Sequence, residues 1–343
     1  MNIVYGICGE GYGHASHALT IADYLQKKGN RVLILTYGRA YDILEKKFNV
    51  RKIEGLHIIC ESGKISVPKT IFTNFFNLVK LLFEFRGLER EIDKFHPDFF
   101  ITDMEPLSSF LANKKNLPLI SLSNQNRFLA CKINSKIKNI HHHFFTKLIT
   151  RLFVIRADYY ITLSFSDLSK RILKNHYIVS PILRPDILNL KPTVKNKVLV
   201  YLTKKDENVL NMLKKIDENF VVFGYDVEKK EGNLYFRKKE KFLEEFKDSK
   251  AIISNSGFTS VGEALYLKKP YFAIPLRGHF EQIYNAEYIK EKGFGQFSDR
   301  LKKEDIENFL KNLDEYRKNL SRYKMDRKKI FGFMDLILRD IER

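Results

Sequence analysis

Short apolar runs rich in Ile, Val and Phe alternate along the chain with stretches whose apolar residues recur at helical spacing. That alternation predicts βαβ units wound around a parallel sheet. In the first half, 2–8 (NIVYGIC), 31–36 (RVLILT), 98–102 (DFFIT), 118–122 (PLISL) and 158–163 (DYYITL) read as strands. Helices are expected near 14–28, 39–47, 70–94, 106–115 and 138–156.

Between 181 and 197 three prolines interrupt a stretch of little periodicity, which reads as a linker. A second alternation follows. Strands are expected at 197–202, 219–223, 233–236, 250–254 and 271–275, and helices at 206–216, 239–248, 258–267 and 280–291, with a long charged helix from about 313. The organisation expected is therefore an α/β chain of two doubly wound, Rossmann-like domains whose sheets face each other across a cleft. The first domain is placed at 1–183, the linker at 184–196, the second domain at 197–325, and a C-terminal helix at 326–343 is expected to pack back toward the first domain.

Two helical segments depart from ordinary amphipathicity. In 71–85 (IFTNFFNLVKLLFEF) apolar residues surround nearly the whole helix, whereas 144–156 (FFTKLITRLFVIR) sets an apolar face beside Lys147, Arg151 and Arg156. The first is too short to span a bilayer, which takes roughly 20 apolar residues. A buried helix and a monotopic contact both fit it, and the basic neighbour favours contact with an anionic membrane surface.

Composition narrows the class. With 44% hydrophobic and 29% charged residues in 343, the chain is neither disordered nor fibrous. A strand-like segment begins at once, in place of a secretory leader, so a cytoplasmic location is expected, peripheral to the inner face of the membrane if the apolar helices dock there. Three cysteines without CxxC spacing support neither a disulfide framework nor a zinc ribbon. The net charge of +19 is spread along the chain, and no RNA-recognition or zinc-finger signature accompanies it, so no specific nucleic-acid partner is expected.

The first strand runs into GEGYGHASH, residues 9–17. A strand, a glycine turn and a helix present backbone N–H groups and the positive helix end to an anion, which makes Gly11 and Gly13 candidate phosphate contacts. A dinucleotide fingerprint would need a third glycine where His14 stands and an acidic residue at the end of the second strand, which instead reads Thr36-Tyr37-Gly38. Zinc would need more than His14 and His17 at i, i+3. His14 in the first helical turn can act as a general base or serve as a structural histidine, and His17 reads as an ordinary helix residue. No metal and no cofactor are expected.

Residues 254–286, SNSGFTSVGEALYLKKPYFAIPLRGHFEQIYNA, hold the second constellation. They resemble the donor-sugar motif of GT-B glycosyltransferases through Gly257, Ser260, Glu263, Ala264, Lys269, Pro270, Pro275, Gln282, Asn285 and Ala286. The segment GEGYGHASHALTIADYL resembles the acceptor-side loop of the branch that holds the peptidoglycan N-acetylglucosaminyltransferase and the galactolipid synthases. Together with Thr102-Asp103-Met104-Glu105-Pro106 it is most similar to an uncharacterised archaeal and bacterial glycosyltransferase group.

The resemblance implies a hexosyl- or N-acetylhexosaminyltransferase of GT-B fold that moves a sugar from a nucleotide sugar, a UDP-sugar, to an acceptor hydroxyl with inversion. The acceptor it favours is a lipid or lipid-linked one. Ser256, Gly257, Thr259 and Ser260 would then hold the diphosphate, Glu263 the ribose, and Gln282 with Glu281 the sugar. The base would lie near Phe236 and Arg237. The entry loop of the second domain lacks glycine, so Thr203 and Lys204 would meet the diphosphate instead. His14 would be the base, oriented by Asp103 or Glu105. A UDP-sugar 2-epimerase of the same fold and a catalytically inactive membrane- or nucleic-acid-binding protein remain the alternatives.

Overall fold

A computed structural model describes the chain except for residues 11, 58–59, 62–63, 66, 132–139, 166–172 and 203–204. It divides into two compact units: Met1–Glu61, Ile65–Arg184 and Asp326–Arg343 form the first, and Pro185–Met325 with 62–64 the second.

The large sheet of the first unit has seven strands: β1 (Asn2–Ile7), β2 (Arg31–Thr36), β3 (Asn49–Lys52), β4 (Phe99–Asp103), β5 (Leu119–Ser123), β6 (Tyr159–Leu163) and β7 (His176–Val179). All pair in parallel in the order β3-β2-β1-β4-β5-β6-β7. The central strands are buried along their length, as in FFITD of β4, because helices cover both faces of the sheet. β3 and β7 escape the hydrophobic pattern, since NVRK and HYIV are short edge strands with too little alternation to stand out.

The order reverses between β1 and β4, where Ile7 pairs with Asp103. In open α/β sheets this is the crevice that receives ligands. Helix α1 (Gly13–Lys27) leaves β1, α2 (Val67–Phe95) is the long crossover, α3 (Pro106–Lys114) leaves β4, and α4 (Ile140–Phe153) precedes β6. Gly6 permits this packing: a Cβ there would stand 2.0 Å from Ser108 Oγ, so only glycine lets the start of α3 lie against β1.

Helix α2 turns Leu88 and Ile92 into the core, with Phe85 packed beside them. Its other face leaves Phe72, Phe75, Phe76, Val79 and Phe83 exposed at helical spacing, with Phe83 84% accessible. Phe144, Leu148 and Leu152 of α4 are exposed in the same way. Among the described side chains of 71–85, these five apolar residues are thus not spent on burial.

The second unit repeats the plan with β8 (Val198–Tyr201), β9 (Phe220–Phe223), β10 (Lys229–Glu231), β11 (Leu234–Phe236), β12 (Ala251–Ser254), β13 (Tyr271–Ala273) and β14 (Gly295–Phe297). Their order is β10-β11-β9-β8-β12-β13-β14, parallel except for the edge strand β10. Helix α5 (Phe258–Tyr266) leaves β12, and α6 (Phe280–Glu291) follows β13. Two doubly wound α/β units are therefore present, as the alternation in the sequence required.

The helix expected from about 313 is two helices, Leu313–Arg322 and α7 (Lys329–Ile341). Helix α7 belongs to the first unit, where the Tyr24 hydroxyl donates to Asp335 at 2.5 Å and Phe331 packs on the Tyr24 ring. In the stretch read as linker, Pro185–Leu188 is helical, and Thr193 and Lys195 donate backbone N–H groups to Lys247 and Asp248 of the second unit.

Candidate active site

The first turn of α1 and the end of β4 meet at one carboxylate. His14 and His17, three residues apart, share a face of α1, and both rings reach Asp103. His14 Nδ1 lies 2.8 Å from Oδ1 and His17 Nδ1 lies 2.9 Å from Oδ2. An ionised carboxylate can only accept, so each imidazole donates its Nδ1–H. In neutral His14 the lone pair then sits on Nε2, where a general base needs it.

Asp103 is fully buried, and burial alone would push its pKa up. The charges of His14 and His17 and their hydrogen bonds outweigh that effect and hold it at about 2. The carboxylate stays ionised at neutral pH.

Glu105, the other carboxylate expected to orient His14, is used differently. It is the N-cap of α3, accepting from Leu107 N at 2.8 Å and Ser108 N at 2.6 Å. A helix that leaves a strand needs its first N–H groups satisfied, and this buried side chain does so. His17 is a correction in the opposite sense: its ring is bound to the site carboxylate. The signal was its i, i+3 spacing from His14, legible only once a partner on that face was known.

The ligand atoms of His14, His17 and Asp103 lie within 4.8 Å of one another, a spacing that a metal ion could bridge. Each Nδ1 is already matched to its own carboxylate oxygen at hydrogen-bond length, so the cluster is complete as a hydrogen-bonded triad.

In the second unit the chain leaves β12 through Asn255-Ser256-Gly257 and enters α5. Ser256 adopts φ 56°, as Met104 adopts φ 55° after β4. Each unit thus carries a non-glycine residue in the left-handed region between a strand and the cap of the next helix, a strained geometry found at functional turns. The Gly257 cap offers no side chain, so the first N–H groups of α5 are not capped by one.

The motif residues around this turn are partly structural. Ser256 N–H donates to the Tyr271 hydroxyl and Ser256 Oγ to the carbonyls of Asn255 and Gln282, while Asn285 Nδ2 donates to Ser256 O at 2.9 Å. Ser260 Oγ bonds Gly257 O at 2.9 Å. Gln282 Oε1 accepts from Leu276 N at 2.9 Å. The buried Lys269 ammonium donates to the carbonyls of Thr193, Lys247 and Ser249. Glu263 is buried on α5, and Thr259 and Glu281 are partly accessible in the first turns of their helices.

Phe236 and Arg237, expected near the base, lie at the end of β11. The Phe236 ring lies in the core against Tyr225. Arg237 N–H extends the sheet to Val222 O, and its guanidinium returns to Phe236 O at 3.2 Å. Gly13 opens α1, whereas Gly11, Thr203 and Lys204 lie outside the described residues.

The sequence matches the model of a family described as glycosyl transferase family 1 over residues 1–314. Among similar proteins are uncharacterised glycosyltransferases of Methanosarcina acetivorans, 23% identical with 86% of this chain and 85% of that one covered, and of Methanosarcina mazei, 22% identical with 86% of each covered. The glycotransferase of kitacinnamycin shares the fold at TM-score 0.69, with 16% identity and 98% of each chain covered. MurG of Acinetobacter baumannii does so at TM-score 0.61, with 17% identity, 98% of this chain and 99% of that one covered. The chain belongs to glycosyl transferase family 1, and its two α/β units are those of a GT-B glycosyltransferase.

Proposed function

We propose that the chain transfers a hexosyl or N-acetylhexosaminyl group from a UDP-sugar to an acceptor hydroxyl by a single inverting displacement. The observation that carries this is the His14–Asp103 pair at the carboxyl edge of the first sheet. With Nδ1–H held by Asp103, His14 Nε2 takes the proton of the acceptor hydroxyl. The acceptor oxygen bonds the anomeric carbon as the bond from that carbon to the diphosphate oxygen breaks. Asp103 stabilises the imidazolium that results.

The leaving diphosphate carries negative charge that backbone N–H groups at the start of α5, with Thr259, are suited to accept. This route asks for no metal or cofactor. Glu263 would meet the ribose hydroxyls through its carboxylate, and Glu281 with Gln282 the sugar. Ser256 and Ser260 act behind them, holding the turn.

The acceptor is a lipid or lipid-linked hydroxyl compound, presented at an anionic membrane surface. The exposed apolar stripes of α2 and α4 support this, because residues 67–83 and 140–156 contain Lys69, Lys80, Lys147, Arg151 and Arg156 but neither Asp nor Glu. No helix among the described residues is long and apolar enough to cross a membrane. Two amphipathic faces that lie on the bilayer fit that combination.

Incubation with a panel of UDP-sugars and a lipid-linked acceptor tests the proposal, with the anomeric configuration of the product read by NMR. One donor should give an inverted product, and His14→Ala should cut the rate by about 100-fold or more. Retained configuration, or a His14→Ala enzyme at wild-type rate, overturns it. A donor sugar altered without acceptor would instead identify an epimerase.

A further inference from the structure

We propose that His17 is a positioning residue for this reaction: by holding Asp103 Oδ2 it fixes the rotation of the carboxylate, so that Oδ1 stays directed at His14 Nδ1. The inference deepens the transfer reading above and rests on it for the identity of the base. His17 itself touches no reacting group.

The geometry is specific. Asp103 is completely buried, and the hydrogen bonds to its side chain come from His14 and His17 alone among the described residues. Other polar groups of that turn are engaged elsewhere: Thr102 Oγ1 and the Glu105 backbone bond each other, Glu105 caps α3, and Cys8 N–H donates to the main-chain oxygen of Asp103. An aspartate's terminal torsion is broad and roughly two-fold, so packing alone does not select a carboxylate rotation. With His17 removed, one oxygen would have no donor and the other would no longer be aimed.

His17 is buried, and its Nε2 has no hydrogen-bond partner among the described residues. Burying a polar nitrogen unpaired is unfavourable, and an apolar side chain on the same face of α1 would avoid it. What histidine supplies at 17 is therefore the Nδ1–H bond to Asp103. The partner atom, an oxygen of an ionised carboxylate, places the donated hydrogen on Nδ1. The two rings stand edge to face with centroids 6.0 Å apart, so neither displaces the other from its own oxygen.

The division has a chemical consequence. A carboxylate that accepts from two N–H donors is a weaker proton acceptor than one that accepts from a single donor. When His14 gains a proton from the acceptor hydroxyl, Asp103 remains ionised and the proton stays on the imidazole. Tyr5 and Cys8 also feel Asp103, and both are neutral because burial pushes them up.

The test compares His17→Leu with His17→Asn, whose carboxamide N–H can stand where Nδ1–H stood. His17→Leu is expected to lower kcat about 10- to 100-fold, the scale on which a misplaced catalytic group is felt. The donor KM should stay within about twofold, since no donor contact is lost. His17→Asn should recover most of the rate. Imidazole 15N NMR gives a readout independent of activity: in the wild-type protein, where variant folding plays no part, both His14 and His17 should show the Nδ1–H form, and in the variants the His14 Nδ1–H signal should broaden in His17→Leu and persist in His17→Asn. An Nε2–H form at His17, a wild-type kcat in His17→Leu, or equal losses in both variants that follow their loss of Tm overturns the proposal. So does activity that disappears on chelation and returns with a divalent metal in the wild type but not in either variant, which would make the triad a metal site. If His14→Ala transfers normally while the NMR pattern holds, the transfer reading fails and the arrangement around Asp103 stands.

Discussion

His14 and Asp103 lie 89 residues apart in the chain and are bonded at 2.8 Å, because β1 and β4 are neighbours at the point where the sheet reverses its order. Replacing Asp103 by Asn keeps the shape but puts an N–H where an oxygen was, so one of the two histidines faces a donor and must change tautomer. Initial transfer rates for Asp103→Asn should fall by about 100- to 10,000-fold with the fold intact by circular dichroism. A loss below about threefold would remove Asp103 from the mechanism.

The pH dependence of stability has a definite sign. The Asp103 pKa is held at about 2, below the roughly 3.9 of an unfolded aspartate. As pH falls below about 4 the unfolded chain takes up this proton first, so the stabilisation, on the order of 2 kcal/mol, is present above that pH and lost toward about 2. Urea midpoints of wild type and Asp103→Asn should therefore converge as the pH falls from about 4 toward about 2.

Glu105→Ala separates the two carboxylates of the Asp103-Met104-Glu105 turn. It removes the acceptor for Leu107 N and Ser108 N. The cost should be about 1 to 2 kcal/mol of stability, read from denaturant midpoints. At temperatures where the variant is folded, kcat should stay within about threefold of wild type. A larger kcat loss would return Glu105 to the chemistry.

Glu263→Ala probes the donor half without touching the triad. Wild type should be stabilised by UDP or the cognate UDP-sugar in a thermal-shift assay, and the variant should need about 10-fold more ligand for the same shift. Equal shifts in both proteins would count against a ribose contact at Glu263.

The stripes of α2 and α4 predict vesicle binding. The protein should sediment with vesicles that contain anionic lipid, and less so as salt is raised. Replacing exposed Phe76, Phe83 and Leu148 by Ser should weaken that by about 10-fold or more, with little effect on Tm. Sedimentation of the triple variant at the wild-type level would argue against a membrane-facing role.

Much of this was legible before any coordinates. The buried parallel strands, such as FFITD and AIIS, are continuous apolar runs, and periodicity finds them. The edge strands NVRK and KKE were not legible, since pairing with a neighbour, rather than their own pattern, makes them strands. The side-chain environment of Phe236 was not legible either: a ring near a strand end reads alike whether it faces outward or the core, and here it packs against Tyr225.

What the sequence by itself determined is therefore the α/β alternation, the two glycine-bearing strand-to-helix turns, and the residue types that can bind phosphate or take a proton. These follow from side-chain periodicity and backbone sterics, which are local. Only the tertiary structure decided that Asp103 and not Glu105 meets His14, that His17 shares the same carboxylate, and that the apolar face of α2 is left uncovered. Those outcomes depend on strand order and register, which bring Ile7 beside Asp103, and a hydrogen bond between residues so distant in the chain is set by that neighbourhood rather than by any spacing along it.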